Sequence, residues 1–272
     1  MTVDIVDTLV DGVKRSQSRN VGIMGAVFFI FGIINSIAVV SFTAKRFLSS
    51  SNLPQYVAGS VNTSIRFPLA LTDSTIVIGI LLALGVIGYI VSFVALVRIY
   101  LSEETDRFST EVFHGIVRPA AQVLLGSIAT LIILGIGIVL ALYPTTMLMQ
   151  NMVSGPMALI VFVLSLVIYS LFALYFTTSI MFFIPRIVDK GDSVIEAFKA
   201  SFRLTGEDKF SFLLLIVGSV LVVTAVSIIG QLLAIPLQGI SPYLEPVITN
   251  LTSVIGVLFQ WGIIVEAYER VQ

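Results

Sequence analysis

Six long apolar runs separated by shorter polar stretches set the pattern of this chain: roughly Val21–Phe42, Ser74–Tyr100, Pro119–Leu142, Pro156–Ile187, Phe210–Ile235 and Val247–Tyr268. An α-helix needs about 20 predominantly apolar residues to cross the hydrocarbon core of a bilayer. Backbone polar groups in lipid must be satisfied internally, so runs this apolar are expected to be helical. The short alternating segments of a membrane β-barrel do not occur. Before the first, third and fifth runs the spacing changes to the i, i+3, i+4, i+7 pattern of a half-buried helix. The first such segment sets Val6, Leu9, Val10 and Val13 against Asp4, Asp7, Asp11, Lys14 and Arg15; the second carries Phe108, Val112, Phe113, Ile116 and Val117; the third carries Val194, Ile195, Phe198 and Phe202. The third opens with Ser193 and Glu196, spaced as a capping box.

The cores of these segments align as Val10-Asp11-Gly12-Val13-Lys14, Phe113-His114-Gly115-Ile116-Val117 and Ile195-Glu196-Ala197-Phe198-Lys199. Each reads apolar, polar, small, apolar. The expected fold is therefore an all-α integral membrane protein, a single transmembrane domain over 1–272, with six transmembrane helices. These form three repeats, approximately 1–100, 101–187 and 188–272, each an interfacial helix followed by a helical hairpin.

Charge fixes the expected orientation. Only 11% of the 272 residues are charged against 57% hydrophobic, and the mean hydropathy is +1.05. A soluble domain carries about 25% charged residues, so this chain has too little polar surface to cover a globule. Twelve of the fifteen basic residues flank one set of span ends, and only Lys45, Arg46 and Arg66 flank the other. Basic residues stay on the cytoplasmic side. The chain is thus expected in the cell (plasma) membrane, with both termini and the second and fourth loops cytoplasmic. Asp4, Asp7 and Asp11 precede the first basic residues, the reverse of a cleaved signal peptide, so the first run is expected to remain.

Composition narrows the chemistry. There is no cysteine and one histidine, His114, which excludes disulfides, thiolate or multi-histidine metal sites and cysteine nucleophiles. A net charge of −1 gives no footprint for nucleic acid. No phosphate-cradling loop, zinc-binding helix or nucleophile elbow is present. No charge lies at mid-span, where an ionisable residue would mark an ion or proton path. Glu266 and Arg270 are spaced for an ordinary helical ion pair. The mild mid-span polar residues, among them Asn35, Ser36, Thr130, Ser170, Thr224 and Ser227, are expected to bond across helix interfaces. The pairs Gly22 and Ala26, Gly79 and Ala83, and Gly88 and Ser92 are expected to admit close helix packing. Pro185 and Pro236 read as helix stops. No catalytic residue, cofactor or metal is expected.

The stretch Phe182-Phe183-Ile184-Pro185-Arg186-Ile187-Val188-Asp189, running into Ser193-Val194-Ile195-Glu196-Ala197-Phe198-Lys199-Ala200-Ser201-Phe202-Arg203-Leu204-Thr205, resembles a signature shared by several membrane families of unknown function. One is the membrane domain attached to some glycerophosphodiester phosphodiesterases; another is a large haloarchaeal family, whose opening Asp11-Gly12-Val13-Lys14-Arg15 and Ser18-Arg19-Asn20 are similar to. The resemblance implies fold and membrane location and supplies no reaction. The favoured function is a non-enzymatic polytopic membrane protein that organises lipid or scaffolds a membrane or cytoplasmic protein partner through its cytoplasmic interfacial helices. The alternative is a transporter or permease subunit for a small or lipidic substrate. The residues expected to meet lipid are Ile195, Phe198 and Phe202, with Lys190, Lys199 and Arg203 placed for anionic head groups. Asn62 and Asn250 begin acceptor sequons on the expected outer side.

Overall fold

A computed structural model describes residues 4–50, 72, 74–102, 110–150, 156–238, 241 and 244–272, and every regular element among them is helical. In chain order these are α1 (Ile5–Arg15), α2 (Arg19–Ser50), α3 (Thr75–Leu101), a 3₁₀ turn (Thr110–Phe113), α4 (Val117–Gln150), α5 (Pro156–Ile180), α6 (Phe183–Lys190), α7 (Val194–Gly206), α8 (Lys209–Gln238) and α9 (Leu244–Val271). Six stretches are long and apolar enough to cross a membrane: Arg19–Thr43, Thr75–Leu101, Val117–Tyr143, Leu159–Lys190, Lys209–Leu237 and Leu244–Val271. Phe108 and Asn62 lie outside the described residues.

The chain forms two compact units, each drawn from segments remote in sequence. One comprises Met1–Thr8, Val117–Val217 and Ile264–Gln272; the other comprises Leu9–Ile116 and Gly218–Ile263. The second unit is organised by small residues that let helices meet. A Cβ on Gly85 of α3 would lie 3.1 Å from that of Asn35 on α2, and the Phe31 ring occupies the space above Gly88. Phe28 packs edge-on against Tyr89 at 4.9 Å, and Phe93 against Trp261 at 4.6 Å. Of the three small-residue pairs expected at interfaces, Gly88 and Ser92 are packed. Gly22 and Gly79 have nothing within 4 Å of a built Cβ and face outward. In the first unit Phe183 fills the space beside Gly126, Phe172 that beside Gly137, and Phe182 lies between Phe212 at 5.3 Å and Tyr268 at 5.7 Å.

Four expectations about the elements are corrected. The second amphipathic segment is not an α-helix: Thr110–Phe113 is one 3₁₀ turn, followed by a bend at Gly115 with φ +61°, where only glycine is unstrained. The run Pro156–Ile187 is not one helix, because α5 ends at Ile180 and α6 restarts at Phe183. Pro236 lies inside α8 and does not stop it, while Pro185 sits in the first turn of α6, where its missing N–H costs nothing. Most mid-span hydroxyls bond to their own helix: Thr130, Ser170, Thr224 and Ser227 each donate to the carbonyl four residues earlier. Ser36 and Asn250 do pair across helices, with the Asn250 amide donating to the Ser36 hydroxyl at 3.1 Å.

Candidate lipid-facing surface

The surface is built around α7, and sequence explains how it starts. Gly191 ends α6 in the left-handed region at φ +70°, its N–H donating to the Ile187 carbonyl. Asp192 then accepts from the Arg186 guanidinium at 2.7 and 2.8 Å. Ser193 and Glu196 form the capping box expected from their spacing: the Ser193 hydroxyl accepts the Glu196 N–H, and the Glu196 carboxylate accepts the Ser193 N–H at 3.0 Å. Hydrogen bonds from the Ser193 hydroxyl and N–H hold the Glu196 carboxyl below the usual glutamate range.

One side of α7 is fully buried, and it is the small, polar side. Ala197, Ser201 and Thr205, spaced by four, are all at 0% exposure. The Ser201 hydroxyl accepts the Phe182 N–H at 3.1 Å and donates to the Ser179 carbonyl at 2.9 Å. The Thr205 hydroxyl donates to the Ser201 carbonyl at 2.9 Å. The two Ser201 bonds meet the end of α5 and the gap before α6, where the helical ladder is interrupted. The sequence left the face of Ile195, Phe198 and Phe202 to be buried at the lipid boundary or under the bundle. In the protein Ile195 is 67% exposed, Phe202 is 37% exposed beside Phe176, and Phe198 is half-buried with its ring 5.0 Å from that of Phe183. Lys199 and Arg203 are exposed and share the outward face with Ile195 and Phe202. Lys190 stands apart from them, paired with Asp189 at 2.9 Å. Asp189 also accepts from the Tyr268 hydroxyl and the Gln272 amide, both at 3.0 Å, which ties α6 to the end of α9.

A second helix of this kind is α1, whose Leu9–Arg15 part belongs to the other unit. In α1 and the start of α2, Gly12, Ser16 and Asn20 are buried, while Val10 is 46% exposed. A Cβ on Gly12 would lie 2.5 Å from the Ile263 Cα, so α1 and α9 touch backbone to backbone there. The Ser16 hydroxyl donates to the Leu258 carbonyl at 3.1 Å, and the fully buried Tyr100 hydroxyl donates to the same oxygen at 2.8 Å. On the apolar side Val6 and Val10 are exposed, while Leu9 and Val13 are half-buried.

The family follows from the whole length of the chain and not from this surface. The chain belongs to the family defined by a domain of unknown function (DUF7847), whose family model matches residues 3–271. No curated protein and no solved structure matches it. Membership brings no reaction with it. Among the described residues no His, Asp and Glu side chains gather in a group that could hold a metal ion. His114 is exposed, and its carbonyl, with that of Val112, accepts from the Arg98 guanidinium at 2.7 and 2.8 Å. Glu266 and Arg270 form the expected ion pair at 2.9 Å. Asn250 is half-buried in α9, its amide also donating to the Pro246 carbonyl at 3.0 Å. One pair escaped sequence reading: the Lys209 ammonium donates to the Tyr175 hydroxyl at 2.6 Å and lies 4.3 Å from the centre of that ring. The residues are 34 apart in sequence, and neither alone carries a signal beyond an aromatic and a basic flank.

Proposed function

We propose that this is a non-enzymatic polytopic protein of the plasma membrane, with both termini cytoplasmic, which organises lipid through its interfacial helices α1 and α7. The observation that carries this reading is the division of α7 into two faces. Its small hydroxyl-bearing side is fastened to the protein, leaving Ile195, Lys199, Phe202 and Arg203 together on the outside. An apolar stripe interleaved with cations suits the boundary between acyl chains and anionic head groups. The three-repeat organisation is supported by Gly12-Ser16-Asn20 and Ala197-Ser201-Thr205, which have the same spacing and whose central serines each donate to a carbonyl of another helix. The resemblance to the membrane domain of glycerophosphodiester phosphodiesterases is compatible with a lipid role.

Reconstituted vesicles test it. Each phenylalanine buried at the lipid boundary contributes about 1.5–3 kcal/mol, against about 1 kcal/mol for each cation near anionic lipid. The apolar residues should therefore decide position, and the cations lipid preference. Phe198→Asp with Phe202→Asp should expose the segment around α7 to protease. Lys199→Gln with Arg203→Gln should leave protease resistance intact and weaken the dependence on anionic lipid. Wild-type protease resistance in the double Asp variant would refute the proposal.

A further inference from the structure

We infer that the first unit holds one anionic phospholipid, its phosphate at Lys209 and Tyr175 and one acyl chain in a groove between α4 and α5. The inference rests on the lipid-facing reading above and names the partner and place. The groove has a volume of about 510 Å³ and is lined by Ile133, Ile136, Gly137 and Ala141 of α4 and by Ile168 and Phe172 of α5. Its size falls within the roughly 300–1,000 Å³ of ligand pockets. At Gly137, which has no side chain, the Phe172 ring leans against α4 and forms part of the groove wall.

Charge complementarity selects the occupant. Phe172 belongs both to the groove and to a row of rings that leaves it, stacked at 6.0 Å on Phe176, which is 6.4 Å from Phe202 of α7. Tyr175, three residues beyond Phe172 on the same helix, has the Lys209 ammonium fixed against its hydroxyl and ring. From Tyr175 to Ile168 is seven residues, about 10 Å of helix, so an acyl chain descending from a phosphate at Lys209 enters the groove within its own length. An ammonium with three donors and one used by Tyr175 retains two for a phosphate oxygen. An anionic phospholipid meets both features, its acyl chain the apolar groove and its phosphate the Lys209 ammonium, whereas a neutral lipid meets only the first.

The full chain purified in mild detergent from membranes of equal phosphatidylglycerol and phosphatidylcholine content tests this, with retained lipid read by native mass spectrometry. We expect one retained lipid per chain, predominantly phosphatidylglycerol. Lys209→Gln should lower the preference by about fivefold, the factor one juxtamembrane lysine contributes. Ala141→Phe should lower retention of both lipids; Ile168→Trp, at a more open position, gives the same reading if the first variant does not accumulate. Equal retention of the two lipids by wild type, an unchanged preference in Lys209→Gln, or full retention in both groove variants would overturn the site. Anionic-lipid dependence of α7 without a retained lipid would remove this site and leave the broader proposal standing.

Discussion

Replacing Ser201 with alanine removes one oxygen that completes two buried hydrogen bonds. The chain between α5 and α6 leaves the Phe182 N–H without a helical acceptor, and the Ser201 hydroxyl takes it at 3.1 Å while donating to the Ser179 carbonyl at 2.9 Å. The carbonyl keeps a long contact of 3.4 Å from the Thr205 hydroxyl, so the N–H bears most of the loss. Ser201 is fully buried, so water cannot substitute without opening the site. Leaving one buried donor unsatisfied costs about 1–3 kcal/mol. The void left by one oxygen is small, so the hydrogen-bond term dominates. If α7 lifts off the bundle as a local unit, its opening equilibrium should rise about 5- to 150-fold by that same energy. Hydrogen exchange by mass spectrometry, on protein in bilayer discs, should show amides of Val194–Gly206 and Phe182–Lys190 exchanging faster by that factor, with amides of α3 unchanged. Ser201→Thr, which keeps the hydroxyl, should lose less. Exchange of α7 within twofold of wild type in Ser201→Ala would show that Ser201 does not fasten the helix.

Gly12→Val should lower the Tm in detergent sharply, because its Cβ would meet the Ile263 backbone at 2.5 Å; overpacking of this kind costs about 1–3 kcal/mol or more. Gly22→Ala, with nothing within 4 Å, should instead raise stability by up to about 1 kcal/mol through helix propensity. The Glu196 carboxyl is held below its usual range by Ser193, so its contribution is fully present above about pH 4.3, the ordinary glutamate value, and is lost as pH falls through the lower folded value. Amides at the start of α7 should then lose protection, corrected for intrinsic exchange, and Glu196→Gln should abolish this step; a step near pH 7 would contradict it. Single cysteines at residues 195–205 of this cysteine-free chain should resist a membrane-impermeant thiol reagent in intact cells, and labelling there would reverse the proposed orientation. In a host that glycosylates, Asn62 should be modified before Asn250, whose amide is already bonded to Ser36 and Pro246; mass spectrometry finding Asn250 alone occupied would count against an outer placement of Asn62.

The long helices were legible because their signal is one-dimensional: twenty or so apolar residues in a row need no partner to be recognised. The capping box at Ser193 and Glu196 and the Glu266–Arg270 pair were legible for the same reason, since each spans a single helical turn. The buried side of each interfacial helix was not. In water an apolar stripe turns inward; in a chain that crosses lipid the stripe can also face outward, so the spacing of Ile195, Phe198 and Phe202 fits a lipid boundary and a bundle interior alike, and the inside goes to residues small enough to bring backbones together. Gly12 and Ser16, and Ala197 and Ser201, are therefore interior positions that composition marks as surface. The break after Ile180 was legible only in part: Pro185 denies the Met181 carbonyl a helical partner and marks a stop nearby, but Ile180-Met181-Phe182-Phe183 themselves do not say where the chain leaves the helix. Only the arrival of Ser201, nineteen residues later, supplies the acceptor that lets the Phe182 N–H leave the ladder, and that contact exists only once α7 has folded back on α5.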